Sequence, residues 1–186
     1  LRAAPIVPAV DEATASQIYQ HYRVQPEPNE GFWSVVERCG LPIAITEGLK
    51  KALSLLAHGI PAIAIRGITQ WHVKGTLELH PEIDRFATAG RLFHIVFDQD
   101  EKPKTILNVQ KQACKLGMAL ENKGCCVRVP VWSSDLGKGI DDVLCGQGDG
   151  ALVWLDEILE DAPILETYRR NGRSAALLKF LARSNQ

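Results

Sequence analysis

Four short apolar runs, at residues 43–46, 62–65, 92–97 and 126–131, alternate with segments of helical period, and no other feature limits the fold as much. Each reads as a buried strand, and strands that alternate with helices form a mostly parallel sheet with helices on both faces. The expected fold class is α/β, Rossmann-like, with a central sheet of about four strands.

The flanking elements follow from the same reading. Residues 11–22 are expected to be helical, followed by the Pro/Gly-rich loop 25–31 and an apolar stretch holding Phe32, Trp33, Val35 and Val36. Residues 1–40 are read as an N-terminal extension, 41–146 as the α/β domain and 147–186 as a C-terminal helical segment. Within the domain, strand 43–46, helix 49–58 ended by Gly59, and strand 62–65 form a βαβ unit. Strand 92–97 leads to a helix from about 105 to 123, whose buried face would carry Ile106, Val109, Ala113, Leu116 and Leu120. Strand 126–131 follows, then helices at roughly 151–159 and 165–182.

Three acidic signatures lie just after apolar runs: Glu47 in Pro-Ile-Ala-Ile-Thr-Glu-Gly, Asp98 and Asp100 in Ile-Val-Phe-Asp-Gln-Asp, and Asp141-Asp142 in Gly-Lys-Gly-Ile-Asp-Asp-Val-Leu. In an open parallel sheet the carboxyl ends of the strands share one edge, so residues distant in sequence converge there. Carboxylates gathered at short range repel one another unless a cation sits among them, and Mg²⁺ suits an all-oxygen set. Each motif alone has a plainer use. Glu47-Gly48 fits a helix start, Asp-x-Asp is common in loops, and Asp141-Asp142 fits an N-cap and a first-turn acid. The conjunction of all three carries the metal expectation.

Composition bounds the alternatives. With 186 residues, 46% of them hydrophobic, one α/β domain with flanking helices is the natural count. The net charge of −1 means that any nucleic-acid affinity must come from a local basic patch. Five cysteines without Cys-x-x-Cys spacing argue against a disulfide framework and a zinc knuckle, so reduced thiols and a cytoplasmic location are expected. No run approaches the roughly 20 apolar residues of a membrane span, and no signal peptide is recognisable. The first residue is Leu rather than Met, which reads as a processed chain or a piece of a longer one.

The wording around the acidic residues resembles a known family. Residues 32–145 resemble the Toprim-related domain of primase-like and primase-helicase-like replication proteins of bacterial plasmids, phages and other mobile elements. The matching segments are Phe32-Trp33, Ile45-Thr46-Glu47-Gly48-Leu49-Lys50-Lys51-Ala52, Ala62-Ile63-Ala64-Ile65-Arg66-Gly67-Ile68, Gly90-Arg91, the stretch from Phe97 to Thr105, and Gly137-Lys138-Gly139-Ile140-Asp141-Asp142. Arg66-Gly67 stands where related sequences often have Pro-Gly.

The resemblance implies a Toprim-like fold, with Glu47 as general acid/base or metal ligand and Asp98 and Asp100 as metal ligands. Asp141 or Asp142 would complete the set. It further implies Mg²⁺, for which Mn²⁺ can substitute, and DNA or RNA and nucleotides as partners, with a helicase domain or protein as a further partner. Lys50, Lys51, Arg66, Lys74, Arg91, Lys102, Lys104 and Lys138 fall around the same edge and would form a basic rim for phosphates, Lys138 foremost.

Other features are secondary. Gly-Lys-Gly lacks the spacing and hydroxyl of a Walker A loop, so ATP hydrolysis by this chain alone is not expected. The five histidines show no paired ligand spacing, and no Gly-x-Ser-x-Gly elbow is present. Trp71 and His72 would either stack on a base or lid the core. Arg169, Arg170, Arg173, Lys179 and Arg183 form one basic helix face, either solvated or used for docking. Two classes of function remain. One is Mg²⁺-dependent nucleotidyl or phosphoryl transfer on nucleic acid, primase-like, with a Toprim-type nuclease as its variant. The other is a non-catalytic nucleic-acid or nucleotide-binding module of a replication protein.

Overall fold

A computed structural model describes residues 4–172. Its centre is a four-stranded, all-parallel sheet of order β2-β1-β3-β4, formed by β1 (Ile43–Glu47), β2 (Ala62–Ile65), β3 (Leu92–Val96) and β4 (Cys126–Arg128). The register sets Ile45 beside Ile63 on one flank and Ile95 on the other, and Phe93 beside Val127. β1 and β2 are buried almost end to end, because helices cover both faces of the sheet and leave no position for polar alternation.

The connections explain the strand order. β1 runs through α3 (Leu49–Ala57) to β2, whereas β3 runs through α5 (Pro103–Glu121) to β4 on the opposite flank. Right-handed crossovers that leave a central strand pair in opposite directions place their helices on opposite faces. The change of direction falls between β1 and β3, so the crevice of this sheet opens at their carboxyl ends.

The helices start and stop for local reasons. In α1 (Glu12–Tyr22), Asp11 accepts hydrogen bonds from the Thr14 N–H and hydroxyl, both at 2.9 Å, and Arg23 closes the helix in the left-handed region. α5 opens on Pro103, whose missing N–H costs nothing in a first turn. Its buried face holds Val109, Ala113, Leu116 and Leu120, as the periodicity predicts, together with Gly117, and Ile106 is half-buried.

The first 40 residues carry part of the core. Ile18 and Val36, the latter on α2 (Phe32–Arg38), are fully buried against the sheet-centred cluster. Ile6 exchanges two backbone hydrogen bonds with Ala64, at 2.7 and 2.9 Å, on the outer edge of β2. The other edge is closed similarly, by an antiparallel bridge between Arg128 and Ile164. Each outer strand edge thereby carries a bridged residue, which shortens the unpaired edge.

Several boundaries differ from the sequence expectations. The fourth strand ends at Arg128 rather than at residue 131, since Pro130 has no N–H to give and the Val129 N–H turns to Pro163 O. A short α4 (Pro81–Asp84) interrupts the long β2–β3 connection. The chain then continues through α6 (Ile140–Gln147), α7 (Ala151–Glu160) and α8 (Leu165–Asn171). α6 packs on α3, α7 on α6 and α8 on α5. The basic face expected near the C-terminus is described only for Arg169 and Arg170, and Arg173, Lys179 and Arg183 lie outside the described residues. Among the described residues no helix is long and apolar enough to cross a membrane, and all five cysteines are free thiols.

His94, on β3 between Ala44 and Arg128, is buried, and its Nδ1 has no hydrogen-bond partner. Burial, with a smaller push from the Arg128 charge, holds its pKa down to about 4, although the Leu159 backbone pulls the other way. The folded protein therefore keeps this ring neutral while the unfolded chain protonates it near pH 6.5. Stability falls as the pH drops through that window, by about 2 kcal/mol between pH 7 and pH 4.5 from this group. Urea midpoints should show His94→Gln flattening that part of the pH dependence. An unchanged slope in the variant would remove His94 as its cause.

Candidate functional site

Glu47 is the last residue of β1, and Asp98 and Asp100 follow β3 by two and four residues. β1 and β3 are direct neighbours, so these carboxylates stand at the crevice where the strand order changes direction. Gly48 follows Glu47 with φ of 92°, a conformation that L side chains rarely adopt, and it turns the chain directly from β1 into α3. That turn brings Lys50 and Lys51, in the first helical turn, back over the same edge.

The third acidic motif arrives differently from the sequence expectation. It does not follow a strand. The chain leaves β4, passes a 3-10 turn at Ser134–Leu136, and presents Asp141 and Asp142 in the first turn of α6, which packs on α3. The two residues have separate uses. Asp141 turns inward, with only 9% of its side chain exposed, and pairs through Oδ2 with Lys50 at 3.0 Å. Asp142 is exposed, and its Oδ2 accepts the Gly139 N–H at 3.4 Å, closing the helix start.

Each inward aspartate has a lysine. Lys51 Nζ lies 3.1 Å from Asp98 Oδ1, Lys138 Nζ 2.7 Å from Asp100 Oδ2, and Lys50 takes Asp141. The Lys138 hydrogen bond, followed by the Lys102 backbone N–H, lowers the pKa of Asp100, and the same contact raises that of Lys138. Glu47 is the exception. Burial first, and the neighbouring Asp98 charge second, push its pKa above the ordinary carboxylate value, while Lys51 and Lys138 offset part of the rise. One carboxyl is thus biased toward holding a proton, the environment a general acid or base requires.

The donor set suits a hard divalent cation. Glu47, Asp98, Asp100 and Asp141 offer only oxygen. Asp141 Oδ1 is buried and accepts no hydrogen bond, and Asp98 Oδ1 accepts none of good geometry despite its ion pair with Lys51. Buried acceptors left in this state are costly and mark positions that a ligand can satisfy. Among the described residues no three His, Cys, Asp or Glu side chains close on a single point, and lysine ammonium groups balance the carboxylates instead.

Residues missed from the sequence hold this arrangement. Gln99, between the two aspartates, is buried; its Nε2 donates to Phe97 O and its backbone N–H to Lys138 O, both at 2.9 Å, which ties the Asp-x-Asp loop to the lysine loop. Trp132 Nε1 donates to Gly137 O at 2.9 Å and fixes that loop from behind. Gly139 permits a close approach, for a Cβ there would lie 2.5 Å from Asp141 Oδ1 and 2.6 Å from Lys51 Cε. A buried Gln beside an Asp is a faint signal, and the glycine was legible only as part of Gly-Lys-Gly.

The expected basic rim divides. Arg66, Lys102 and Lys104 are exposed near the carboxyl ends of the strands or at the start of α5, as the sequence implies, and Lys74 is exposed in the β2–β3 connection. Arg91 is not part of the rim. It sits at the opposite end of the sheet, just before β3, buried, and donates to Val36 O at 3.1 Å and Glu37 O at 2.6 Å at the end of α2. Of the two uses offered for Trp71, the structure has the core one, since it is fully buried. A cleft of about 640 Å³ opens beside Asp100, between Trp132–Ser134 and the end of α8 at Arg170.

Fold and site together define an α/β domain whose parallel sheet carries an acidic, lysine-neutralised crevice at its carboxyl edge. The chain belongs to the family described as a domain of unknown function (DUF3854), which it matches over residues 32–151, a span that includes Glu47, Asp98, Asp100, Asp141 and Asp142. It is 38% identical over 155 residues to a protein of Picosynechococcus sp. (strain ATCC 27264 / PCC 7002 / PR-6) described as uncharacterized. That likeness covers 77% of this chain and 15% of the relative, so the chain spans a small part of the length of the relative it matches.

Proposed function

We propose that this chain is a Toprim-type domain that binds Mg²⁺ at Asp98 and Asp100, with Glu47 beside them as general acid/base, and takes part in nucleotidyl or phosphoryl transfer on nucleic acid, in the manner of a primase-like replication protein. The observation that carries the reading is the adjacency of β1 and β3, which sets a protonatable Glu47 beside Asp98 at the switch point. When bound, Mg²⁺ would neutralise phosphate oxygens and activate an oxygen nucleophile. Asp98 and Asp100 would hold it, and Asp141, paired with Lys50, would complete the acidic edge. Glu47 would accept or return a proton at its carboxyl oxygen. Lys138, Lys102 and Lys104 would meet backbone phosphates along the rim.

A second reading has its own support. Every inward aspartate already has a lysine counterion, so the edge is electrostatically complete without metal. A nucleic-acid or nucleotide-binding module without catalysis would keep the basic rim and need no ion.

Binding of a labelled single strand in Mg²⁺ and in EDTA separates the two. The metal reading expects affinity to fall on chelation and Mg²⁺-dependent extension or cleavage of the strand. Affinity that persists in EDTA, falls steeply with salt and brings no turnover would support the binding module instead.

A further inference from the structure

His94 is the one polar residue in the run Leu92-Phe93-His94-Ile95-Val96, and the fold gives it a cavity rather than a partner. Toward the amino ends of β1 and β3, away from the acidic crevice, a cleft of about 360 Å³ opens between the sheet, the end of α1 and α7, and His94 lines it. Pro42, Ile60, Leu92 and Leu159 give the cleft apolar walls. The His94 ring is only 5% exposed, and its Nδ1 makes no hydrogen bond. The Leu159 backbone carbonyl takes the N–H of the ring. A neutral imidazole has one N–H and one lone pair, so Nδ1 presents the lone pair, and only a hydrogen-bond donor can satisfy it. Buried acceptors are seldom left in this state.

The charges around the cleft sort the possible donors. Asp156 and Glu160 stand exposed on α7 at the rim, with His21 at the mouth. Arg128 is already committed, since its Nη1 donates to Glu160 O at 2.7 Å and to Ala162 O at 3.1 Å. Tyr22 stays protonated, because burial first and the Asp156 charge second push its pKa up to about 12. An anion entering here would meet two carboxylates and a lone pair. An ammonium group would find an acceptor for its N–H and carboxylates for its charge, and the volume suits a small molecule.

We propose that this cleft is a binding site for a small organic cation, an ammonium group on an apolar body about the size of one ring. Its N–H meets His94 Nδ1, its charge is balanced by Asp156 and Glu160, and its body rests on Ile60 and Leu92. The site is separate from the acidic crevice and stands whether or not that edge holds metal.

Three probes with one apolar body and different heads test this: 2-phenylethylammonium, 2-phenylethanol and 3-phenylpropionate, titrated into the whole chain while the imidazole ¹⁵N signals are followed. The ammonium should shift the His94 Nδ1 signal and saturate, the alcohol should act more weakly, and the carboxylate should leave it in place. Asp156→Asn, a change at an exposed position, should weaken the ammonium by about fivefold and leave the alcohol as it was. His94→Leu, followed by competition with the ammonium's own NMR signals, should weaken it by about tenfold. A circular-dichroism melt shows that each variant is folded, and Asp156→Asn decides alone if His94→Leu is not. Equal response to all three probes would reduce the cleft to an apolar surface, preference for the carboxylate would assign it to Arg128, and no response to any would leave it to water. Each of these, or an unchanged ammonium affinity in Asp156→Asn, would overturn the proposal.

Discussion

Asp98→Asn should lower Mn²⁺ or Mg²⁺ affinity by at least about a hundredfold and abolish any metal-dependent strand chemistry, while leaving the fold intact. The affinity figure is a floor, since removal of groups that merely orient ligands already costs 10- to 100-fold. Two effects on stability oppose each other. The variant loses the ion pair with Lys51, and it also loses the negative charge that raises the pKa of Glu47. A partly exposed pair contributes little, about 1 kcal/mol or less, so thermal unfolding should shift by only a few degrees. Isothermal titration with Mn²⁺ and a melting curve of the same sample measure both. Wild-type affinity in Asp98→Asn would exclude Asp98 as a ligand.

Trp71→Ala is expected to have the largest effect on stability. The indole is fully buried at the head of the loop that follows β2, and the Trp71 carbonyl accepts the His80 N–H at 2.9 Å, which closes that loop around it. Emptying such a position costs about 3–5 kcal/mol, a fall in melting temperature of roughly 10 °C for a chain of this size. The indole N–H is buried without a partner, so Trp71→Phe removes an unsatisfied donor together with some volume and should cost much less. Were Trp71 a base-stacking residue, Trp71→Ala would melt like the wild type and weaken single-strand binding instead. Calorimetry and fluorescence anisotropy on the same two variants distinguish these outcomes.

The sheet was legible in the sequence because its strands are buried on both faces. Ile43, Ala44, Ile45 and Ala62 to Ile65 form unbroken apolar runs, short and bounded by turn residues. Parallel pairing then followed from the helices between the strands, and with it the meeting of Glu47 with Asp98 and Asp100. The fourth strand was over-extended because Val129 and Val131 are as apolar and buried as a strand requires, and only Pro130 and the pairing with Pro163 end it.

Partnership within the edge was not legible. Whether Asp141 or Asp142 turns inward depends on how α6 packs on α3, a tertiary fact that two adjacent identical residues cannot encode. The lysines were expected to face phosphate. Three of them face aspartates instead, because a crevice of like charges with no other cation draws in the nearest ammonium groups. Arg91 was misplaced, and Trp71 left with two uses, for a common reason. Both residue types serve ligands and cores alike, and the choice is made by the far ends of elements, here the carbonyls closing α2 for Arg91 and the loop bond to His80 for Trp71.

On the proposed reading, the carboxyl edge of β1 and β3 is a divalent-metal site. Paramagnetic broadening of the amide signals by Mn²⁺, read on the wild type and on Asp98→Asn with Mg²⁺ as competitor, tests it most directly. Broadening should be confined to the neighbourhoods of Glu47, Asp98, Asp100 and Asp141, reversed by Mg²⁺ and lost in the variant. Broadening elsewhere, or none at Mn²⁺ concentrations well above those of weak sites, would contradict it and leave the lysine-neutralised crevice as a binding surface without metal.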